Sequence, residues 1–166
     1  MLEQYYALRE KCFRQELKIP SFDGSEEQRD RDSSILIMRD GDQCIGGARI
    51  APSTELAWDL TGLAIDTDTC CMWERFVIDP SKRTVHSFRE FCSQLVSTSR
   101  DIGYNNALVL SSLRNARFYR QFHSALGVEF RILGQAPEAA SPTFKGLEHY
   151  LSVSTLRQVE RARVAA

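Results

Sequence analysis

The sequence predicts an α/β (α+β) protein, a mixed and largely antiparallel twisted sheet flanked by helices. Two observations carry this. Short runs of strand-forming residues bounded by turn signals alternate with segments whose apolar residues recur at helical spacing. Their order is helix, hairpin, strand, helix, strand, helix, strand, strand, which sets helices between buried strands and calls for a sheet with helices laid on it. A chain of 166 residues fits one domain, 1–166, with a sizeable core.

Residues 2–17 carry Leu2, Tyr5, Tyr6, Leu8, Cys12, Phe13 and Leu17 at helical spacing, and Pro20 bounds the helix. Residues 20–34 are polar, acidic and poor in aromatics, which predicts a loop or mobile lid. Ile35–Met38 reads as a strand, Asp40-Gly41-Asp42 as a hairpin turn and Cys44–Ile50 as the returning strand. Trp73–Ile78 is a further strand, stopped by Pro80. Val85, Phe88, Phe91, Cys92, Leu95 and Val96 predict a helix over 84–101, closed by Gly103. Ala107–Leu110 is a short buried strand, and 114–125 is helical through Ala116, Phe118, Tyr119 and Phe122. Val128–Leu133 and His149–Val153 supply the last strands, and 155–164 a charged final helix.

Composition excludes several function classes. Hydrophobic content of 43% and charged content of 26% are ordinary for a soluble globular protein. The net charge of −1 gives no global basic field for nucleic acid, and no apolar run is long enough to span a bilayer. The start, MLEQYYALREKCF, has charges within its apolar pattern and no signal-peptide core. Five cysteines, Cys12, Cys44, Cys70, Cys71 and Cys92, show no C-x-x-C spacing, so neither a zinc site nor a disulfide scaffold is indicated. The expectation is a cytoplasmic protein with reduced thiols, no metal, and no nucleic-acid or membrane partner.

Two strand segments break the apolar rule. Arg49 lies in Gly46-Gly47-Ala48-Arg49-Ile50-Ala51-Pro52, and Glu74 and Arg75 lie in Trp73-Glu74-Arg75-Phe76-Val77-Ile78-Asp79. An ionised group in a buried strand costs several kcal/mol unless it is paired or faces a ligand, and arginine does not escape by losing its proton. These residues mark either a polar site cut into the sheet or a structural Arg–Glu pair between strands. Beyond Pro80, Ser81-Lys82-Arg83-Thr84 and Ser87 set cations and hydroxyls at a helix start, where phosphate can sit. On its own that segment reads equally as a solvated, capped turn. His86, His123 and His149 are scattered and read as surface or structural groups, with His86 beside that turn.

These segments resemble the N-acyl-homoserine-lactone (autoinducer) synthases of the GNAT superfamily of N-acetyltransferases. Leu8-Arg9-x-x-x-Phe13 resembles that family's L-R-x-x-V-F, and Gly46-x-x-Arg49-Ile50-x-Pro52 with Thr54 resembles G-x-x-R-L-x-P-T. Arg75-Phe76-Val77-Ile78-Asp79 resembles S-R-F-A-V-D, and Thr143–Leu156 the late strand and terminal helix. The chain departs from the family in three places. The acidic lid pattern E-x-D-x-x-D meets Glu27-x-Arg29-x-x-Asp32, or Glu27-x-x-Asp30 in another register. Ile19 stands near the position of the lid tryptophan, and E-x-S-R becomes Met72-Trp73-Glu74-Arg75.

The resemblance implies the acyl-CoA N-acyltransferase fold, with a V-shaped splay between strands 73–78 and 107–111 that takes a pantetheine arm. The donor is then acyl-CoA or an acyl carrier protein, nothing is tightly bound as cofactor, and the substrates are small molecules. The acceptor is the amine of an amino-acid-derived compound, S-adenosylmethionine in the specific version. An N-acyl amino acid synthase, a small-molecule N-acetyltransferase and a non-catalytic relative are the alternatives. Glu74 is the candidate base, with Arg49, Arg75 and the acid Tyr119 completing the catalytic set. Arg9, Phe13, Glu27, Asp30, Asp32, Trp73 and Phe76 are candidate substrate contacts. Val77, Ile78, Lys82, Arg83 and Ser87 are candidate donor contacts, with an oxyanion held by backbone N–H groups around 76–78. Trp73, Phe76, Leu110, Phe118 and Phe122 line an apolar acyl tunnel in this reading, or form an ordinary core.

Overall fold

The computed structural model describes residues 1–53, 65–136, 144 and 146–157. Helix α1 (Leu2–Glu16) leads to a single helical turn α2 (Gln28–Arg31), so the segment expected as loop or lid contains a turn of helix. A hairpin comes next, β1 (Ser34–Asp40) and β2 (Gln43–Pro52), then β3 (Cys70–Ile78), α3 (Val85–Ile102), β4 (Asn106–Ser111), α4 (Leu113–Ala125), β5 (Glu129–Gln135) and β6 (Tyr150–Thr155). The six strands form one sheet in the order β1-β2-β3-β4-β6-β5. Only β3–β4 is parallel, joined by α3; the other pairs are antiparallel. The expected helix over 155–164 is not helical at its start, since Thr155 closes β6. Its residues 158–164, like Thr54 and Thr143, lie outside the described residues.

Local chemistry explains the ends of these elements. α1 stops before Pro20 is reached, with Lys18 in the left-handed region (φ 57°) that follows many helix C-termini. Gly41 turns the β1–β2 hairpin at φ 59°. Thr84 and Ser87 cap α3 reciprocally, and Gly103 ends it at φ 109°. On one face of the sheet Ile50, Trp73, Ile78, Val109 and Phe130 meet Phe91 and Leu95 of α3. On the other, Tyr5, Leu8, Cys12 and Phe13 of α1 meet Phe22 and Val77. α1 lies so close to β2 that a Cβ on Gly47 would stand 2.4 Å from the Tyr5 ring.

One irregularity in β3 sets the directions of its charged side chains. Gly47 pairs with Val77 but Arg49 pairs with Glu74, so β3 holds one residue more than β2 across this interval. That is a β-bulge, and Arg75 within it sits at φ 54°, a conformation costly for a side chain-bearing residue. The extra residue resets the alternation. Cys71 and Trp73 face α3 and α4 ahead of it, and Phe76 and Ile78 face them after it. Glu74 and Arg75, adjacent in sequence, therefore both turn toward α1 and α2. β3 also leaves β4 here: the parallel pairing runs from Cys70↔Asn106 to Trp73↔Val109 and stops. β4 continues through Leu110 and Ser111 on β6 alone. The strands splay from residue 74 onward, as expected.

Candidate active site

Beside the splay, on the α1 face, arginines and carboxylates from four elements converge. Arg49 of β2 is the hub, with 2% of its side chain exposed. It donates to Glu27 Oε2 (2.5 Å), Asp30 Oδ1 (2.9 Å) and Glu74 Oε2 (2.7 Å). Each of these acids has a second arginine. Asp30 takes Arg9 through both oxygens at 3.0 Å, Glu27 takes Arg75 at 2.9 Å, and Glu74 takes Arg29 at 3.0 Å. The side chains of Arg9 and Asp30 are fully buried, and those of Glu27, Glu74 and Arg75 reach the surface.

Sequence explains why these groups arrive together. Glu27 and Asp30 are three apart on one helical turn, so they share a side, and they also cap that turn reciprocally. Arg9 Nε and Nη2 reach the carbonyl of Gly24 at 3.2 and 2.9 Å, fastening the strap between α1 and α2. A Cβ on Gly24 would stand 2.4 Å from Glu10 Cβ, so only glycine admits this approach. The Tyr5 hydroxyl donates to the Arg75 carbonyl at 3.0 Å and pins the bulge. The Arg75 guanidinium lies 5.0–5.9 Å from the ring centroids of Phe13, Phe22 and Phe144, within cation–π range.

Burial alone would raise the Glu27 and Asp30 pKa values, but their arginine partners outweigh it. Hydrogen bonds and charge from Arg75 and Arg49 hold Glu27 below the ordinary carboxylate value. Arg9, the Glu27 backbone N–H and Arg49 do the same for Asp30. Both are acceptors at any physiological pH. Glu74 Oε2 is saturated by three N–H groups, while among the described residues Oε1 has a long 3.3 Å contact with Arg29 Nε. Oε1 is the oxygen with lone pairs to offer.

Several sequence-predicted residues lie elsewhere. Asp32 is exposed and accepts from Gln28 Nε2, because it follows the end of α2 and points away from Arg49 and Arg75. Trp73 is buried on the opposite face, with Nε1 donating to Ser99 Oγ at 2.9 Å and its ring 5.5 Å from His123. Leu110 belongs to neither side of a tunnel with Phe76: strand alternation puts it with Met72, Leu108 and Val153 across the sheet. Val77 and Ile78 are buried on opposite faces. Lys82 pairs with Asp40, Arg83 pairs with Glu16 and donates to the Ile78 carbonyl, and Ser87 caps α3. Tyr119 packs edge-on to Phe76 at 5.5 Å, and burial raises its pKa, so it stays a phenol. His86 is on the surface, and His123 is buried with Nδ1 on the Tyr119 carbonyl. Burial pushes the Cys12 and Cys70 thiols to about 11 and those of Cys71 and Cys92 to about 12, so none of these is a ready nucleophile.

Arg29 escaped sequence reasoning as a participant, although it stood out as a cation where the lid pattern carries an acid. Among the described residues no group of three or more His, Cys, Asp or Glu is arranged to hold a metal ion, and no helix is long and apolar enough to cross a membrane.

No family model and no curated protein matches the sequence. Solved structures do match the fold. An N-acetyltransferase from Lactobacillus plantarum, so described provisionally, superposes with a TM-score of 0.68 at 15% identity, over 94% of this chain and 91% of that one. The CoA-dependent acyl-homoserine lactone synthase BjaI, solved with SAM and isopentyl-CoA, gives 0.68 at 17% identity, over 95% and 76%. The aminoglycoside 6'-N-acetyltransferase from Enterococcus faecium gives 0.61 at 15%, over 95% and 91%. The fold is that of the acyl-CoA N-acyltransferases.

Proposed function

We propose that this protein is an N-acyltransferase that moves an acyl group from a phosphopantetheine thioester, acyl-CoA or acyl carrier protein, to the amine of an amino-acid-derived acceptor. The observation that carries the reading is the adjacency of the splay after Trp73↔Val109 to the Arg49-centred cluster. The strand that parts to admit a donor is the strand that bears Glu74 and Arg75.

In this reading the amine nitrogen attacks the thioester carbon, a C–N bond forms, the C–S bond breaks and the thiolate leaves. The proton shed by nitrogen passes to Glu74 Oε1, directly or through water, and on to solvent. The thiolate is protonated from solvent, with the Tyr119 phenol as a hydrogen-bond donor beside it. Backbone N–H groups of residues 76–78 on the edge released from β4 hold the oxyanion. Arg49 fixes Glu74, and Arg75, Arg9, Phe13, Glu27 and Asp30 shape the acceptor side. S-adenosylmethionine giving an acyl-homoserine lactone is the specific version, supported by the neighbouring synthase folds. The double clamp of Arg29 and Arg49 on Glu74 favours a second reading, a relative that binds without turnover.

Mass spectrometry of extracts from expressing cells separates these readings: acyl-homoserine lactones, acyl amino acids, or no new product. Glu74→Gln, which keeps the shape but not the basicity, should lower kcat by about 10²–10⁴. Turnover at the wild-type rate would make Glu74 structural.

A further inference from the structure

We infer that the donor is restricted to short acyl groups, because aromatic side chains plug the helix side of the splay. This rests on the acyltransferase reading and adds the size class of its donor. The gap opened after Trp73↔Val109 has two sides. On the α1 side stands the ion cluster, which gives a hydrocarbon chain nothing to dissolve in. On the helix side Phe76 meets Phe88 (5.7 Å between centroids), Phe91 (4.8 Å) and Tyr119 (5.5 Å). Behind it Phe118 closes on Phe88 at 4.8 Å and on Phe122 at 4.5 Å.

Rings at these separations are in van der Waals contact, in the stacked and edge-on arrangements aromatic pairs prefer. A methylene chain needs its own width between them, so it enters only by driving rings apart. Phe76 is turned to this face by the bulge, and α3 and α4 supply the other rings. Phe76, Phe118 and Phe122, which a tunnel would need as walls, instead fill the volume they would surround.

The test is the dependence of affinity on chain length, measured by calorimetry with CoA and acetyl-, butyryl-, hexanoyl- and decanoyl-CoA. A chain that enters an apolar pocket gains roughly fourfold in affinity per methylene. The wild type should bind hexanoyl- and decanoyl-CoA more weakly than acetyl-CoA, because a tail that cannot pass the rings keeps the thioester from seating. Phe118→Ala, placed in mid-helix where alanine is well tolerated, should leave acetyl-CoA affinity unchanged and make affinity rise with length. The double variant F118A/F122A should steepen that rise. A wild-type affinity that stays level or climbs with chain length overturns the proposal. Flat affinity in both variants overturns the assignment of Phe118 and Phe122 as the plug. If neither CoA nor any ester binds, acyl-CoA is ruled out as the donor, and the size limit, which is read on acyl-CoA, falls with it.

Discussion

Arg49→Met is the sharpest test of the charge cluster. The substitution keeps much of the volume and flexibility of arginine while removing its charge and its donors. Arg49 contacts three carboxylates, and each retains one other arginine: Arg9 for Asp30, Arg75 for Glu27 and Arg29 for Glu74. The three acids are therefore not orphaned. Removing one partner of a buried pair costs about 3–5 kcal/mol when the other is left uncompensated. Here only Asp30 is dry, with a fully buried side chain, whereas Glu27 and Glu74 regain water at 31% and 18% exposure. The cost therefore falls below that range, about 1–3 kcal/mol, and in a chain of this size that lowers Tm by about 2–12 °C. Chemical denaturation should show a lower midpoint with an unchanged slope, since the surface exposed on unfolding is the same. Arg49→Lys should recover only part of the loss, because one ammonium does not reproduce three diverging contacts. A midpoint for Arg49→Met within error of the wild type would mean that the cluster is held by Arg9, Arg29 and Arg75 alone.

The same geometry sets three further outcomes. Glu27 and Asp30 have folded-state pKa values below their unfolded ones, so the unfolded chain binds more protons as pH falls through about 4. The stability they contribute is complete above that value and is lost as pH falls through the lowered folded values, and Asp30→Asn should flatten the acid limb of a denaturation–pH profile; an unchanged limb would assign it to other carboxylates. Gly47→Ala puts a methyl 2.4 Å from the Tyr5 ring and should destabilise by about 1–3 kcal/mol. Equal melting of Gly47→Ala and wild type would mean that α1 moves freely on the sheet. Arg75→Gly should be more stable than Arg75→Ala by about 1 kcal/mol, because both lose the Glu27 pair but only glycine accepts φ 54° without strain; the order reversed in thermal melts would place the strain elsewhere.

The legibility of this protein in its sequence divides along physical lines. Periodicity places the long helices and the strands to within a few positions, because they obey their own repeats: α3 runs 85–102 against an expected 84–101, and α4 runs 113–125 against 114–125. The two arginines and the glutamate that violate the strand pattern are the ones drawn into one cluster, for a charge in a buried strand has to find a partner. What sequence could not convey is phase. A single extra residue in β3 turns Arg75 to the same side as Glu74 and Phe76 to the other, and no residue type there announces the bulge, since arginine is a poor occupant of φ 54°. For the acid partners the sequence offers Glu27 with Asp30 or Asp32; the one-turn helix decides for Asp30 because three residues, not five, return to the same side. Arg29 and Glu74, two of the departures from the pattern that the sequence resembles, are partners of each other. A cation on the α2 turn and a carboxylate in β3 compensate as a pair, so each charge that sequence reading finds out of place has its partner in the other.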